Sequence, residues 1–361
     1  MASKPRILVA PLDWGLGHAT RCVPLIEEIQ RQGGEPVLAS AGRALAYLQA
    51  EFPNLEMTSL PAYNIRYFGG NMYWNIGLQG PKILRAAWLE HRRLQQLIRR
   101  LKIDAVISDN RFGCFSSRVP AVFVAHQLNI QLSPPSLQWL ANRLCRLFIR
   151  QYGECWIPGL PGSESLAGAL SQPPEGLPCR HIGLLSRLQP EIETPEYDIL
   201  ALLSGPEPQR SRLESILLRQ LKDLPYRVLL VQGRTEVEER RQPSLRIEVV
   251  SYLKTGELQR ALNRSTLVIC RSGYSTLMDL AAMGKKALLI PTPGQTEQEY
   301  LARRMQELGY CPYQKQDELD VERGVAEVQA YSGFPKCNGN VKEERLAGAV
   351  RWLIELIKPA Y

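Results

Sequence analysis

The sequence predicts an α/β fold of two doubly wound, Rossmann-like domains with a cleft between them. Short apolar runs alternate with longer amphipathic segments in both halves of the chain, which is typical of βαβ units that build parallel sheets. The length of 361 residues suits two domains, at roughly 150 residues or more each. A stretch rich in Pro, Gly and Ser at residues 159–195 separates the halves and predicts a linker.

In the N-terminal domain, residues 1–185, the apolar run at 6–12 predicts the first strand. Similar runs predict further strands at 36–40, 55–60, 105–108, 121–125 and 155–157. Amphipathic periodicity predicts the intervening helices at 20–32, 43–51, 82–102 and 137–150. Strands that alternate with helices in this way favour right-handed crossovers and a sheet covered on both faces.

The C-terminal domain, residues 186–340, repeats the alternation. Its predicted strands are 198–203, 227–231, 246–250, 267–270 and 287–290. Its predicted helices are 208–221, 256–263, 274–283 and 297–308. The remaining segment, 341–361, is predicted to hold a last helix at 341–357 that packs back on the N-terminal domain.

Composition excludes several classes of protein. Apolar residues make up 45% and charged residues 22% of the chain, which is globular rather than disordered composition. The eight cysteines include no CxxC pair and no Cys/His spacing of a zinc site. The N-terminus lacks the pattern of a signal peptide, and no run reaches the roughly 18 apolar residues of a membrane span. We therefore expect a cytoplasmic protein.

The net charge of +8 is unevenly divided, with +7 on residues 1–185 and +1 on residues 186–361. The helix predicted at 82–102 carries seven basic residues against one acidic residue. It is either a stripe that faces anionic lipid or a phosphorylated acceptor, or a solvated helix face. Just before it, residues 63–80 concentrate five aromatics among four glycines. Such rings stack on sugars, lie at lipid headgroups or pack on their own domain.

The loop after the first strand, residues 13–21, reads D-W-G-L-G-H-A-T-R. Gly15 and Gly17 allow a tight turn close to a ligand, and the helix that follows offers its N-terminus to an anion. The third glycine of a dinucleotide fingerprint is missing, so a nicotinamide enzyme is not indicated. We predict His18 as a general base and Asp109, at the end of a later strand, as its orienting partner. The alternatives are a helix-capping histidine and a turn-forming aspartate.

Residues 268–302 hold a second concentration of polar groups. They follow two predicted strands and open the helices after them: Arg271, Ser272, Gly273, Ser275, Thr276, Asp279, Gln295, Gln298 and Glu299. Hydroxyls and backbone amides at a helix N-terminus suit a diphosphate, and a carboxylate suits the paired hydroxyls of a ribose. The alternative is an ordinary βαβ unit with capped helices.

This segment, with VVSYL at 249–253, resembles the C-terminal donor-binding half of glycosyltransferase family 28, the MurG-like enzymes. G-L-G-H at 15–18 resembles the first Gly-rich loop of that family, and VPAVFVAHQLN at 119–129 resembles its acceptor-side strand and HEQN motif. The resemblance implies a GT-B fold that binds a UDP-sugar in the C-terminal domain and the acceptor in the N-terminal domain.

The resemblance also implies roles for single residues. The backbone of Leu253 contacts uracil, Asp279 holds the ribose, and Arg271 meets the charge of the departing diphosphate. The groups implied to face the diphosphate are Ser272, Gly273, Ser275 and Thr276. The groups implied to face the donor sugar are Gln298 and Glu299, with Gln295 beside them. The groups implied on the acceptor side are Gly15, Gly17, His126, Gln127 and Asn129.

Three positions depart from the family pattern, namely Asp279 in place of Glu, Glu299 in place of Gln, and Gln127 in place of an acidic residue. They leave the donor sugar and the acceptor open. The implied reaction is inverting transfer of a hexosyl group to a hydroxyl acceptor that is anionic or lipid-linked, at the inner face of the membrane. No D-x-D motif occurs, so we expect no metal and no other cofactor.

Two other functions remain open at this point. G-x-G-H-x-x-R at 15–21 also resembles the hydrolase of pseudaminic acid synthesis, which implies a UDP-sugar hydrolase that uses water as the acceptor. A nucleic-acid-binding module would use the basic helix, but it leaves the donor-like segment unexplained and no nucleic-acid motif is present, so we expect no nucleic-acid partner.

Overall fold

The computed structural model describes residues 4–63, 79–131, 134–335 and 339–357. The chain forms two compact units, one of Met1–Ser186 with Asn338–Tyr361 and one of Arg187–Cys337. Each unit has its own sheet and its own apolar core. Among the helices of the described ranges, none combines the length and the apolarity needed to cross a bilayer.

The first unit contains a seven-stranded, fully parallel sheet in the order β3-β2-β1-β4-β5-β6-β7. Its strands are β1 (Arg6–Pro11), β2 (Glu35–Ser40), β3 (Glu56–Ser59), β4 (Ala105–Asp109), β5 (Ala121–Val124), β6 (Glu154–Ile157) and β7 (Cys179–His181). Its helices are α1 (Leu16–Arg31), α2 (Gly42–Glu51), α3 (Gly80–Arg100), α4 (Pro135–Ile149) and the C-terminal α10 (Gly339–Ile357).

The chain order reverses between β1 and β4, the two neighbouring central strands of this sheet. Ile7, Leu8 and Val9 of β1 are fully buried, as expected for a parallel strand covered on both faces. At the carboxyl ends, Pro11 of β1 is the register partner of Asp109 of β4. Such a reversal point leaves a crevice at the carboxyl ends of the strands, where doubly wound proteins bind ligands.

The second unit contains a six-stranded sheet in the order β10-β11-β9-β8-β12-β13, parallel except for the edge pair β10–β11. Its strands are β8 (Tyr197–Leu202), β9 (Val228–Val231), β10 (Arg240–Ser244), β11 (Ile247–Val250), β12 (Ser265–Cys270) and β13 (Lys286–Leu289). Its helices are α5 (Gln209–Leu221), α6 (Thr255–Asn263), α7 (Tyr274–Met283), α8 (Thr296–Glu307) and α9 (Val321–Val328). Here the chain order reverses between β8 and β12.

The predicted linker at 159–195 is partly wrong. Its middle contains β7, which pairs with β6 and extends the first sheet by one strand. The first unit continues to Ser186, and β8 of the second sheet begins at Tyr197. The pattern missed β7 because three residues, Cys179–His181, are too few to show an alternation.

The C-terminal helix α10 is assigned by its contacts to the first unit. The side-chain amide of Gln32, just past α1, donates to the carbonyl oxygen of Ala347 at 2.8 Å. The Arg180 guanidinium lies 4.9 Å from the centre of the Trp352 ring. The aromatic segment predicted at 63–80 lies mostly outside the described residues, which omit 64–78.

Candidate functional site

The first candidate site lies at the β1/β4 reversal point of the first unit. Helix α1 begins at Leu16, four residues earlier than the predicted helix, so His18 occupies the first turn rather than a loop. Gly15 precedes the helix with φ +84°, a conformation that favours glycine. Nδ1 of His18 lies 2.7 Å from Oδ1 of Asp109, the last residue of β4. The two residues predicted as base and orienting partner are therefore hydrogen-bonded.

A third residue, Arg21, completes this arrangement. It lies one turn after His18, and its Nε donates to Oδ2 of Asp109 at 2.5 Å while Nη2 donates to Oδ1. Its Nη1 lies 3.1 Å from Nδ1 of His126, which follows β5. No role was predicted for Arg21; its position three residues after His18, on the same helix face, was the available signal.

The charges in this cluster are strongly coupled. Burial by itself raises the pKa of Asp109, but the charge of Arg21 and the hydrogen bonds from Arg21 and His18 outweigh it, so the pKa lies well below its usual range. Burial lowers the pKa of His18 below its usual 6.5, Arg21 lowers it further, and Asp109 offsets part of this effect. A neutral imidazole beside an ionised carboxylate is the state required of a general base.

Of the predicted acceptor-side residues beyond His126, Asn129 lines a large cavity. Nδ2 of Asn129 donates to the carbonyl oxygens of Ala169 and Gln172, at 3.1 and 2.9 Å, and so fixes the neighbouring turn. Asn129 also lines a cavity of about 680 Å³, whose wall includes Trp139, Arg143, Arg146 and Arg150 of α4. Gln127 is half-buried. The contact of Gln127 and Asn129 with an acceptor remains a prediction.

Two helices of the first unit expose apolar and basic side chains together. On α3, Trp88 is 55% exposed, and the Arg92 guanidinium lies 4.7 Å from its ring centre. On α4, Trp139 is 60% exposed, and the Arg143 guanidinium lies 5.1 Å from its ring centre. The other exposed large apolar residues on these two helices are Leu84, Leu89, Leu137, Leu140, Leu144 and Leu147. A solvated polar face alone does not account for this composition.

In the second unit, the predicted donor-side groups cluster at the β8/β12 reversal point. Helix α7 begins at Tyr274, directly after Gly273, and Ser275 and Thr276 lie in its first turn. A Cβ on Gly273 would meet nothing within 4 Å, and its φ of −70° is ordinary, so neither packing nor backbone geometry requires glycine there. The open space at this helix N-terminus is of the kind that binds phosphate.

The side chains of Arg271 and Ser272, both predicted to meet the diphosphate, already have hydrogen-bond partners within the protein. Arg271 is 1% exposed, and its guanidinium donates to the carbonyl oxygens of Ile290, Pro291 and Gln209. Ser272 is buried, and its hydroxyl donates to the carbonyl oxygen of Gln298 at 2.7 Å. Both side chains therefore hold the surrounding loops together, and their contact with a diphosphate stays a prediction.

A second residue missing from the sequence analysis, Arg187, connects two predicted nucleotide contacts. Its Nη1 lies 3.7 Å from Oδ2 of Asp279, and its Nε donates to Oγ1 of Thr255 at 3.2 Å. Thr255 opens α6, two residues after Leu253. Within the described part of the chain, the backbone of Leu253 has no hydrogen-bond partner. Sequence spacing gave no signal for Arg187, because the fold alone brings it near Asp279.

The residues predicted to contact the donor sugar brace the loop between β13 and α8. Oε1 of Gln298 accepts from the backbone N–H of Thr292 at 2.9 Å, and its Nε2 donates to Oε1 of Gln295 at 2.5 Å. Oε1 of Glu299 accepts from the backbone N–H of Gly294 at 3.2 Å. Each side chain keeps further hydrogen-bonding atoms. Their contact with a sugar stays a prediction.

No group of three or more His, Cys, Asp or Glu side chains that could hold a metal ion occurs among the described residues. The cysteines in this part of the chain are free, and all of them except the half-buried Cys179 are buried.

Residues 212–344 match the family profile of the glycosyltransferase family 28 C-terminal domain. A protein of Rhodopseudomonas palustris (strain BisB5) is 25% identical over 355 residues, which cover 93% of this chain and 92% of the relative. Its name is UDP-N-acetylglucosamine--N-acetylmuramyl-(pentapeptide) pyrophosphoryl-undecaprenol N-acetylglucosamine transferase.

Two solved structures resemble this one over nearly their whole length. MurG of Acinetobacter baumannii is 15% identical with a TM-score of 0.55, and 98% of this chain and 99% of that chain are covered. The spinosyn rhamnosyltransferase SpnG, complexed with thymidine diphosphate, is 17% identical with a TM-score of 0.58, and 98% of this chain and 96% of that chain are covered. These likenesses confirm the predicted α/β GT-B fold class.

Proposed function

We propose that this chain, which is similar to glycosyltransferase family 28, transfers a hexosyl group from a UDP-sugar to a hydroxyl group of its acceptor, with inversion at the sugar carbon. The observation that carries the proposal is the hydrogen bond of 2.7 Å between His18 and Asp109 at the β1/β4 reversal point. His18, held by this hydrogen bond, supplies the general base that an acceptor hydroxyl, with its high pKa, needs in order to attack.

The step is an in-line displacement. Nε2 of His18 takes the proton of the acceptor hydroxyl as its oxygen attacks the anomeric carbon, and the bond from that carbon to the UDP oxygen breaks. UDP leaves with the electron pair. Asp109 holds the ring and stabilises the imidazolium that forms.

The donor belongs to the second unit in this proposal. The backbone of Leu253 contacts the uracil, and Asp279, positioned by Arg187, binds the ribose. The N-terminus of α7, at Gly273, Ser275 and Thr276, receives the negative charge that develops on the diphosphate. The relative from R. palustris supports UDP, since its name specifies a UDP-sugar donor.

We propose a lipid-linked acceptor and peripheral attachment to the cytoplasmic face of a membrane. The name of the R. palustris relative specifies a pyrophosphoryl-undecaprenol acceptor. In this chain, the exposed tryptophans and arginines of α3 and α4 have the composition of surfaces that lie among lipid headgroups. Anionic lipid attracts such basic surfaces by about 1 kcal/mol per Lys or Arg.

We further propose that transfer needs no metal, because the α7 N-terminus supplies the electrostatic stabilisation of the leaving group. Chelation with EDTA is then expected to leave the transfer rate unchanged. A rate that collapses in EDTA and returns with magnesium would refute this part of the proposal.

The donor can be identified by thermal shift with a panel of UDP-sugars, with dTDP-glucose as the mismatched nucleotide. A donor at a hundred times its Kd stabilises the protein by about 2.7 kcal/mol.

The best donor is then incubated with a polyprenyl-diphosphate-linked monosaccharide, and UDP release is measured with and without this acceptor. Acceptor-dependent release supports a transferase. Release at full rate in water alone identifies a hydrolase instead, and retention on heparin with no response to any UDP-sugar would favour a nucleic-acid-binding protein.

A further inference from the structure

Arg21 lies one helical turn after His18 on α1, so both side chains project from the same face of the helix. Its guanidinium is buried and reaches three polar side chains. It forms two parallel hydrogen bonds with the carboxylate of Asp109. Its Nη1 lies 3.1 Å from Nδ1 of His126, and its Nη2 lies 3.0 Å from Nδ1 of His18. The transfer step proposed above gives this arginine no task.

We propose that Arg21 is a positioning residue that holds His18 and His126 in opposite tautomers, so that one Nε2 atom is unprotonated and the other carries a proton. The inference rests on the proposed function, because the unprotonated Nε2 is the atom that accepts the hydroxyl proton. His126 is then a hydrogen-bond donor and cannot replace His18 as the base.

The tautomer of His126 follows from the chemistry of arginine. An arginine N–H only donates, so the contact of 3.1 Å with Nδ1 of His126 requires a lone pair on that nitrogen. A neutral imidazole whose Nδ1 is unprotonated carries its proton on Nε2. The contact with Arg21 thus places the N–H of His126 at Nε2.

The tautomer of His18 follows from Asp109. The two hydrogen bonds from Arg21 keep the Asp109 carboxylate ionised, and an ionised carboxylate only accepts. The contact of 2.7 Å therefore requires a proton on Nδ1 of His18, which leaves the lone pair on Nε2. Nη2 of Arg21 already donates to Oδ1 of the same carboxylate, so it lies 3.0 Å from this protonated nitrogen without bonding to it. Its charge opposes a second proton on the ring.

Three titratable or charged groups face His18: Arg21 on its own helix, Asp109 from β4, and His126 from the loop after β5. Burial lowers the pKa of His18 and the charge of Arg21 adds to this, whereas Asp109 raises it. Without Arg21, the lone carboxylate would favour an imidazolium, which cannot accept a proton. An arginine that only stabilised the fold would change the melting temperature when replaced, but not the tautomers or the pH profile of the remaining enzyme.

Long-range ¹H–¹⁵N correlation spectra read the tautomers in the unmodified protein labelled with ¹⁵N-histidine. The chain has four histidines, and single replacements by glutamine assign their signals. At neutral pH we expect a protonated Nδ1 in His18 and a protonated Nε2 in His126. The same tautomer in both rings, or a charged His126, overturns the proposal. These spectra decide the question even where a variant of Arg21 fails to fold.

Variants of Arg21 test whether this arginine is what fixes the two tautomers. Arg21→Gln removes the charge and the paired donors, whereas Arg21→Lys keeps the charge without the planar fork. In both variants, His126 is expected to lose its fixed tautomer. In Arg21→Gln, the acid limb of the kcat/KM profile is expected to move to higher pH by about one unit, which is a tenfold change in the protonation equilibrium. In Arg21→Lys, the limb is expected to move less.

Arg31→Gln is the matched control, since the exposed Arg31 ends the same helix and pairs with Glu28 rather than with the site. Its spectra and pH profile are expected to equal those of the parent protein. Unchanged tautomers and an unchanged acid limb in Arg21→Gln overturn the role proposed for Arg21.

The two proposals fail in different ways. Expected tautomers in a protein that transfers sugar from no UDP-sugar refute the transferase and leave the assignment of Arg21 intact. Acceptor-dependent transfer by a protein with the wrong tautomers refutes the assignment of Arg21 alone.

Discussion

Nη1 of Arg187 lies 3.7 Å from Oδ2 of Asp279, so the carboxylate predicted to hold the ribose is paired with a nearly buried guanidinium. The pair fixes where the carboxylate points, and Arg187 is tied in turn to Thr255 at the start of α6. The side chain of Arg187 therefore contacts both the start of α6, just after Leu253, and Asp279 on α7, and it fixes these two segments relative to each other.

Asp279→Ala is expected to weaken UDP binding by roughly 10- to 100-fold, since hydrogen bonds to a charged group contribute about 1.5 to 3 kcal/mol. Isothermal titration calorimetry with UDP measures the change. Asp223→Ala, which removes an exposed carboxylate of the same unit, is the control and should bind UDP as the parent protein does. Unchanged affinity in Asp279→Ala would show that the donor assignment is wrong.

A buried ion pair formed by Glu90 of α3 supports a prediction about the stability of the fold. Glu90 and Arg111 form a fully buried ion pair with an Nη1 to Oε1 distance of 2.5 Å, and Glu90 also accepts from Tyr63 and from the backbone of Gly113. Glu90→Gln leaves the Arg111 charge poorly compensated, and we expect it to destabilise the fold by about 3 to 5 kcal/mol. A thermal melt of the full chain is the measurement.

Glu318→Gln provides the comparison, because Glu318 forms an exposed pair with Lys315. Pairs of this kind contribute about 1 kcal/mol or less, so its melting temperature should hardly change. Equal melting temperatures for Glu90→Gln and the parent protein would contradict the prediction.

The alternation of apolar and amphipathic segments was enough to predict the central strands of both sheets. The strand order, and with it the reversal point at which His18 and Asp109 meet, is seen only in the structure. Strand β10 was not predicted because Arg240–Ser244 consists of charged and polar residues and one proline, and it pairs only with β11 at the sheet edge. Helix α9 was not predicted because Val321–Val328 is short and contains Gly324.

The sites were harder to predict than the fold, because burial decides what a polar side chain can contact. Arg271 follows a strand as a ligand-binding arginine would, yet it is buried against backbone carbonyls that lie far away in sequence. Arg187 was not predicted as a site residue, because its partner Asp279 lies 92 positions later in the chain. Neither relationship leaves a local pattern in the sequence.

The surfaces of α3 and α4 predict binding to anionic membranes. Replacing Arg85, Arg92 and Arg99 by Gln is expected to weaken binding to phosphatidylglycerol-containing vesicles by about a hundredfold, at roughly 1 kcal/mol per charge. Trp88→Ala is expected to weaken binding further, through lost contact with the headgroup region. Vesicle co-sedimentation measures both effects.

Leu245→Ala is the control for this experiment, since Leu245 is 97% exposed but lies in the second unit. It should leave vesicle binding unchanged. Equal binding by the arginine variant and the parent protein would exclude α3 as a membrane contact.

The state of His18 predicts the pH dependence of transfer. Its pKa lies below 6.5, lowered by burial and by Arg21, so the unprotonated base is present at neutral pH and is lost only as the pH falls through that lowered pKa. We therefore expect kcat/KM for the acceptor to be flat near neutrality and to fall on the acid side of 6.5. His18→Gln should lose this limb together with about 10²- to 10⁴-fold of the rate, while UDP binding is retained, because a positioned base contributes that much. His181→Gln, on strand β7, should keep both the rate and the limb. An acid limb that persists unchanged in His18→Gln would assign the titration, and the base, to another residue.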